Sequence, residues 1–163
     1  MDGGTIDHYE FGGQKLAQAI RGLASEDLLL VPPADAPKEI GRWSIQQIVI
    51  HLMDADLIWT ARMKCMIAEN NPAVLGYDES RFAAELMYEQ QDAGIAVQIF
   101  DLNRRQFCRV LRKLPEAVFA RTAQHSERGT ITLAQSVQLM VEHVDHHVGF
   151  IHAKRAWMGK EMW

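Results

Sequence analysis

The sequence predicts an all-α fold, a four-helix bundle formed by one domain over residues 1–163. Two observations carry this. Apolar residues return at helical spacing in four long stretches, and none shows the strict apolar-polar alternation of a half-buried strand. Prolines and Asn- or Gly-containing breaks separate the stretches, so each helix ends where the backbone loses a donor or turns. The length suits a single core burying roughly two-thirds of the unfolded surface. No internal repeat or low-complexity segment is present.

The first helix is expected over residues 6–23, with Phe11, Leu16, Ile20 and Leu23 on its apolar side. Val31, Pro32, Pro33 and Pro37 forbid helix and mark a long connection ending at Trp43. Ser44 and Gln47 then have the spacing of a capping box ahead of an apolar run, which starts a second helix continuing to Ala68. Measured from His51 at about 100° per residue, Ile48, Ala55, Ile58, Trp59 and Met66 share one stripe, with His51 at the edge of the buried face. Asn70, Asn71, Pro72 and Gly76 break that helix. A short helix over residues 78–90, with Phe82, Leu86 and Met87 inward, decorates the crossover. The third long helix covers residues 92–114, with Ile95, Ile99, Leu102, Phe107 and Val110 among its apolar positions, and Pro115 stops it. Residues 116–129 read as a polar connection holding His125. Thr132 and Gln135 repeat the capping-box spacing at the head of the fourth helix, which runs to Trp157 before Gly159 and buries Val137, Met140, Val144 and Ile151.

Composition excludes several classes. A net charge of −4 argues against a general nucleic-acid binder, which needs clustered excess Lys and Arg, and gives no attraction to anionic membranes. The opening Met1-Asp2-Gly3-Gly4 lacks a basic, apolar leader, and no run of about 18 apolar residues exists to span a bilayer, so a cytoplasmic protein is expected. Cys65 and Cys108, far apart inside helical patterns, read as reduced, mostly buried thiols.

The chemistry lies in histidines. His143 and His147 stand four residues apart on the fourth helix and project from one face, within about 40° of each other. Four-helix bundles build metal sites from facing helices, so His51 on the second helix can meet the pair. Three neutral imidazoles would leave coordination positions open, as in catalytic zinc sites. Spacing alone leaves a second reading, ordinary polar histidines at the rim of the core. His146 and His152 point to the solvent side of the same helix, and His8 and His125 have no partner at useful spacing. Competing metal motifs fail on the letters. A zincin helix needs Glu directly after its first His, where this chain has Val144. A di-iron bundle needs Glu-x-x-His, whereas Glu142 is followed three residues later by Asp145. A zinc knuckle needs paired cysteines.

The segment Arg42-Trp43-Ser44-Ile45-Gln46-Gln47-Ile48-Val49-Ile50-His51-Leu52 resembles the start of the second helix in DinB/YfiT-like proteins. His143-Val144-Asp145-His146-His147-Val148-Gly149-Phe150-Ile151 resembles their final-helix motif, in the expected order and separation. That resemblance implies an up-down-down-up bundle with a long crossover, frequent homodimers, and a divalent ion held by His51, His143 and His147. Zinc or nickel leads the expectation for the ion, and imidazoles also suit iron or copper. Members include thiol transferases that add a low-molecular-weight thiol to an electrophile, relatives of maleylpyruvate isomerase, and proteins without assigned activity. Phe150 departs from the family, where a polar residue commonly follows the Gly.

The expected function is therefore a metal-dependent transfer of a small thiol to an electrophilic or xenobiotic substrate. Metal-dependent hydrolysis is one alternative, since an ion with open positions can activate either thiol or water. The other is a non-catalytic dimeric bundle with a structural ion, acting as a stress-related binding protein. Asp54, one turn after His51, is weighed as an orienting acceptor or base against an ordinary solvated residue beside Asp56. Arg62, Arg104 and Arg105 are read as solvated or snorkelling. Trp157, Met158, Met162 and Trp163 form an apolar C-terminal cluster suited to a dimer contact or to packing on the bundle.

Overall fold

A computed structural model describes residues 1–161. Its helices are α1 (Gly3–Ala19), α2 (Ser25–Leu29), α3 (Ile45–Ala68), α4 (Glu79–Glu85), α5 (Ala93–Leu111) and α6 (Leu133–Trp157). Both expected capping boxes close reciprocally. Ser44 Oγ accepts from the Gln47 N–H at 3.1 Å while Gln47 Oε1 accepts from the Ser44 N–H at 2.9 Å. The Thr132–Gln135 pair does the same at 3.1 and 2.8 Å. Two orphan donors are thus satisfied at the head of each helix that carries a histidine ligand candidate, which fixes where that helix starts and the phase of its side chains. The first helix sits earlier than expected. Asp2 accepts from Gly4 N–H and caps it, and the chain leaves helix after Ile20, with Gly22 left-handed at φ 76°. A glycine tolerates that angle without the steric cost of a Cβ.

Cross-helix contacts fix the topology. Arg104 Nη1 donates to Tyr9 O at 2.8 Å while Arg112 reaches back to Asp7 and Glu10, so α1 and α5 are antiparallel. Lys15 meets Asp145 and Ala19 O accepts from Arg155, so α1 and α6 run parallel. His51 faces His143 while Met66 faces Ser136, which makes α3 and α6 antiparallel. Gln46 donates to Gln91 O and Asp56 pairs with Arg104, which makes α3 and α5 parallel. The result is an up-down-down-up four-helix bundle in the order α1, α3, α5, α6. The residues between α1 and α3 and between α3 and α5 supply the long connections that such a topology needs.

A charged layer crosses the middle of the bundle. Arg104 and Asp56 are both fully buried and joined at 2.8 Å. Arg104 also donates to Tyr9 O and, at 3.0 Å, to Met140 O, and Asn103 donates to the second Asp56 oxygen at 2.7 Å. The layer therefore ties all four long helices together. This corrects the reading of Arg104 as solvated or snorkelling: Arg104 and Asp56 are buried because each neutralises the other and main-chain carbonyls take further guanidinium donors. Gly12 makes room for the guanidinium, since a Cβ there would stand 2.4 Å from Arg104 Nη1.

Other differences have local causes. The apolar row Ile95, Ile99, Leu102 and Val110 faces outward on α5, with Leu102 61% exposed, and only Phe107 of the named positions is buried. The inner face is instead Ala93, Ala96, Phe100, Arg104, Phe107, Cys108 and Leu111, in which small residues and a charge permit close packing. The expected helix over residues 78–90 is split. Leu86 ends α4, Met87 turns left-handed at φ 51°, and this rotation exposes both while burying Tyr88 in a 3-10 turn. The expected polar connection after Pro115 carries a 3-10 turn and two strands. β1 (Ala73–Val74) pairs in parallel with β2 (Thr122–His125), which pairs antiparallel with β3 (Gly129–Thr132). This small sheet decorates the bundle at the open end of the α3–α5 crossover. Of the C-terminal cluster, Met158 packs against the core and Trp157 is exposed, while Met162 and Trp163 lie outside the described residues. No helix of the described residues is long and apolar enough to cross a membrane.

Candidate metal centre

His51 lies on the second turn of α3, and His143 and His147 flank the midpoint of α6. Because those helices pack side by side, the second turn of α3 comes alongside the middle of α6, and all three imidazoles converge. His51 Nε2 and His143 Nε2 are 3.1 Å apart, and one donor atom from each of the three rings lies within 4.8 Å of the others. Ring centroids are 5.0, 4.8 and 4.6 Å apart around the triangle. Three nitrogens held tetrahedrally at about 2.1 Å from one ion stand about 3.4 Å from each other, so the observed triangle accommodates an ion with small ring rotations.

Burial and electrostatics suit ligands. His51 is fully buried, and His143 and His147 are half-buried. Burial, reinforced by the neighbouring imidazoles, brings each pKa from 6.5 down to about 3. The rings are consequently neutral at neutral pH, the form that donates a lone pair to a metal. Each ring also keeps a buried Nδ1 with no protein partner. Three orphaned imidazole nitrogens in one knot are costly as a purely structural arrangement, and the donor set fits a divalent transition metal. The Trp43 ring lies edge-on to His51 at 5.1 Å.

The remaining histidines stay apart from this triangle. His146 is exposed, its ring lying against His147 and Phe150, and His152 is exposed on α6. His8 contacts Lys15 at the surface. His125 is more enclosed than expected of a polar residue without a partner, stacking on Trp59 at 5.6 Å and accepting from the Glu127 N–H. Asp54 does not orient the site. It accepts from Tyr88 Oη at 2.7 Å, and His51 Nδ1 has no acceptor. Cys65 and Cys108 are free, and burial raises the Cys108 thiol to about 12.

A cleft of about 260 Å³ opens on the His147 side, lined by Gly41, Arg42, Trp43, Ile48, Glu79, His147, Phe150 and Lys154. Sequence reasoning named only His147 of these as part of a site. Arg42 comes from the connection before α3 and Glu79 is the first residue of the short α4 in the crossover, so the period of the long helices places neither. Lys154 carried a readable signal, standing seven residues after His147 and so on the same face of α6. Burial raises the pKa of Glu79, with Arg128 opposing, and lowers that of Lys154 to about 8.

An up-down-down-up bundle whose second and fourth long helices join three inward histidines beside a cleft defines a class of helical proteins with a histidine-lined centre. Within that class the chain belongs to the DinB superfamily, whose sequence profile matches residues 8–151. It is 29% identical over 117 residues to a protein of Oceanobacillus iheyensis provisionally named as a metal-dependent hydrolase, covering 72% of this chain and 67% of that one. A Bacillus mycoides protein with the same provisional name is 28% identical over 141 residues, 86% of this chain and 78% of its own. Among solved structures, YfiT from Bacillus subtilis, described provisionally as a metal-dependent hydrolase with an unusual four-helix bundle topology, superposes with a TM-score of 0.85. Its sequence identity is 27%, and the match covers 96% of this chain and 86% of that one.

Proposed function

We propose that this chain is a metal-dependent enzyme in which His51, His143 and His147 hold one divalent transition-metal ion, zinc or nickel before iron or copper, and that it hydrolyses a small molecule. The observation that carries the reading is the knot of three neutral imidazoles, each with a buried, unpartnered Nδ1, beside an open cleft. A divalent ion bound there supplies Lewis acidity and a nucleophile at neutral pH. The chain's own residues do the rest. The depressed imidazole pKa values keep the ligands deprotonated through the physiological range. Trp43, Ile48 and Phe150 give the cleft an apolar wall that excludes bulk water and receives the substrate body. Glu79, the carboxylate of the lining, is the candidate to take up a proton, its pKa raised by partial desolvation. The lining contains no Ser, Thr or Cys, which favours a nucleophile from solution over a side-chain hydroxyl or thiol. Among the described residues no fourth His, Cys, Asp or Glu joins the triangle, which favours an open catalytic site over a closed structural one.

Water is the nucleophile supported by the provisional names of the relatives. A second reading uses the same site to add a low-molecular-weight thiol to an electrophile. The apolar wall favours it, because apolar electrophiles partition into such a surface. One experiment separates the two. Metal-loaded protein is assayed against a panel of activated esters, amides and epoxides, with and without a small thiol. Turnover without thiol that His147→Ala abolishes is the expected result. Turnover only with thiol selects transfer, and turnover unaffected by His147→Ala overturns both.

A further inference from the structure

We propose that Lys154 anchors a carboxylate, so that the cleft beside the histidines takes a small molecule with an apolar body and one carboxylate group. Lys154 is 2% exposed, lies at the C-terminal end of α6, and forms one wall of the cleft. Its Nζ has no hydrogen-bond partner. An ammonium carries three donors and is rarely buried without an acceptor, because the lost hydration is not recovered. The Phe150 ring lies 5.8 Å from Nζ, at the outer reach of a cation–π contact, and accepts no hydrogen bond in the ordinary sense.

No carboxylate holds this charge from within the described protein. Burial alone lowers the Lys154 pKa, with no charged neighbour offsetting it, and the amine remains mostly protonated at neutral pH. Glu79 shares the cleft but feels Arg128 as its principal cation. Arg42, at the exposed rim, already donates to Pro33 O at 2.9 Å. The missing counter-ion is therefore a ligand group.

The rest of the lining sets the ligand's form. Trp43, Ile48 and Phe150 contact an apolar body, and about 260 Å³ admits only a small molecule. One buried cation facing a cleft that also contains Glu79 balances a monoanion better than a phosphate dianion. His147 lines the same cleft, so a group anchored on Lys154 presents its other end to the histidines. Calling that molecule the substrate rests on the metal-dependent reading above, whereas its binding does not.

The test compares butanoate with butanamide, matched in shape and different in charge, by calorimetric or NMR titration of zinc-loaded and zinc-free protein. Wild type is expected to prefer butanoate about tenfold, the scale of a hydrogen bond to a charged group. Lys154→Met should reduce the preference to about onefold and Lys154→Arg should restore most of it. Independently of any variant, the Lys154 ε-methylene resonance should shift with butanoate and not with butanamide. A wild type without preference, a Lys154→Met protein that keeps it, or a silent Lys154 resonance overturns the proposal. Equal competition by inorganic phosphate overturns the carboxylate assignment. Zinc stoichiometry measured on the same samples tests the metal reading separately: Lys154-dependent butanoate binding by a protein that takes no zinc sinks that reading alone.

Discussion

Removing one member of the buried Arg104–Asp56 pair should destabilise the protein far more than removing both. In Asp56→Leu the guanidinium keeps its two main-chain acceptors, Tyr9 O and Met140 O, but loses its only counter-charge in a fully buried layer. In Arg104→Met the carboxylate keeps Asn103 and Tyr9 as donors yet remains an uncompensated anion among apolar neighbours. Breaking such a pair from either side costs about 3–5 kcal/mol, while replacing both charges with apolar groups of similar volume is often close to neutral. For a chain of this size about 2–4 °C of melting temperature accompanies each kcal/mol. Each single variant should therefore melt about 6–20 °C below wild type, and the double variant should recover most of the loss. Calorimetry of the four proteins in a double-mutant cycle measures this directly. Single losses under about 1 kcal/mol, or a double variant whose loss equals the sum of the singles, would refute the claim that this layer is an electrostatically closed unit.

We propose that the homodimer implied by the family resemblance would form through the exposed row Ile95, Ile99, Leu102 and Val110. Sedimentation should give twice the 18.5 kDa chain mass, and Leu102→Lys should give a monomer, whereas a monomeric wild type defeats the assignment. Acid should destabilise the metal-free protein through the histidine triangle. The imidazoles stay neutral in the fold down to about pH 3, while the unfolded chain protonates below about 6.5, so stability present above 6.5 is lost as pH falls toward 3. At pH 5 the loss is about 2 kcal/mol for fully buried His51 and smaller for half-buried His143 and His147. Urea midpoints at pH 7.5 and 5 should therefore fall more steeply for wild type than for His51→Leu, and parallel slopes would contradict this.

The histidine triangle was legible because its phase is local. An i, i+4 pair and two capping boxes set the face of each helix without knowledge of any partner. The Arg104–Asp56 layer was not legible, since a charge on a helix reads as solvated until a neutralising group 48 residues away is placed beside it. The α5 face failed for a related reason. Its inner side is built from alanines and an arginine, so counting large apolar residues selects the outer side. Strands of two and four residues are too short to show alternation, and β1 finds its partner only across the whole α5 segment. The cleft was mostly invisible because Gly41, Arg42, Trp43 and Glu79 arrive from connections or their edges, with Lys154 the exception that helical spacing could have revealed.

The most direct test of the central claim is the metal content of tag-free protein, measured by elemental mass spectrometry for wild type, His51→Ala, His143→Ala and His147→Ala. About one transition-metal ion per wild-type chain, lost in all three variants while their helical circular dichroism persists, is the predicted result. A wild type that stays empty when zinc or nickel is supplied, or variants that keep their ion, would contradict it.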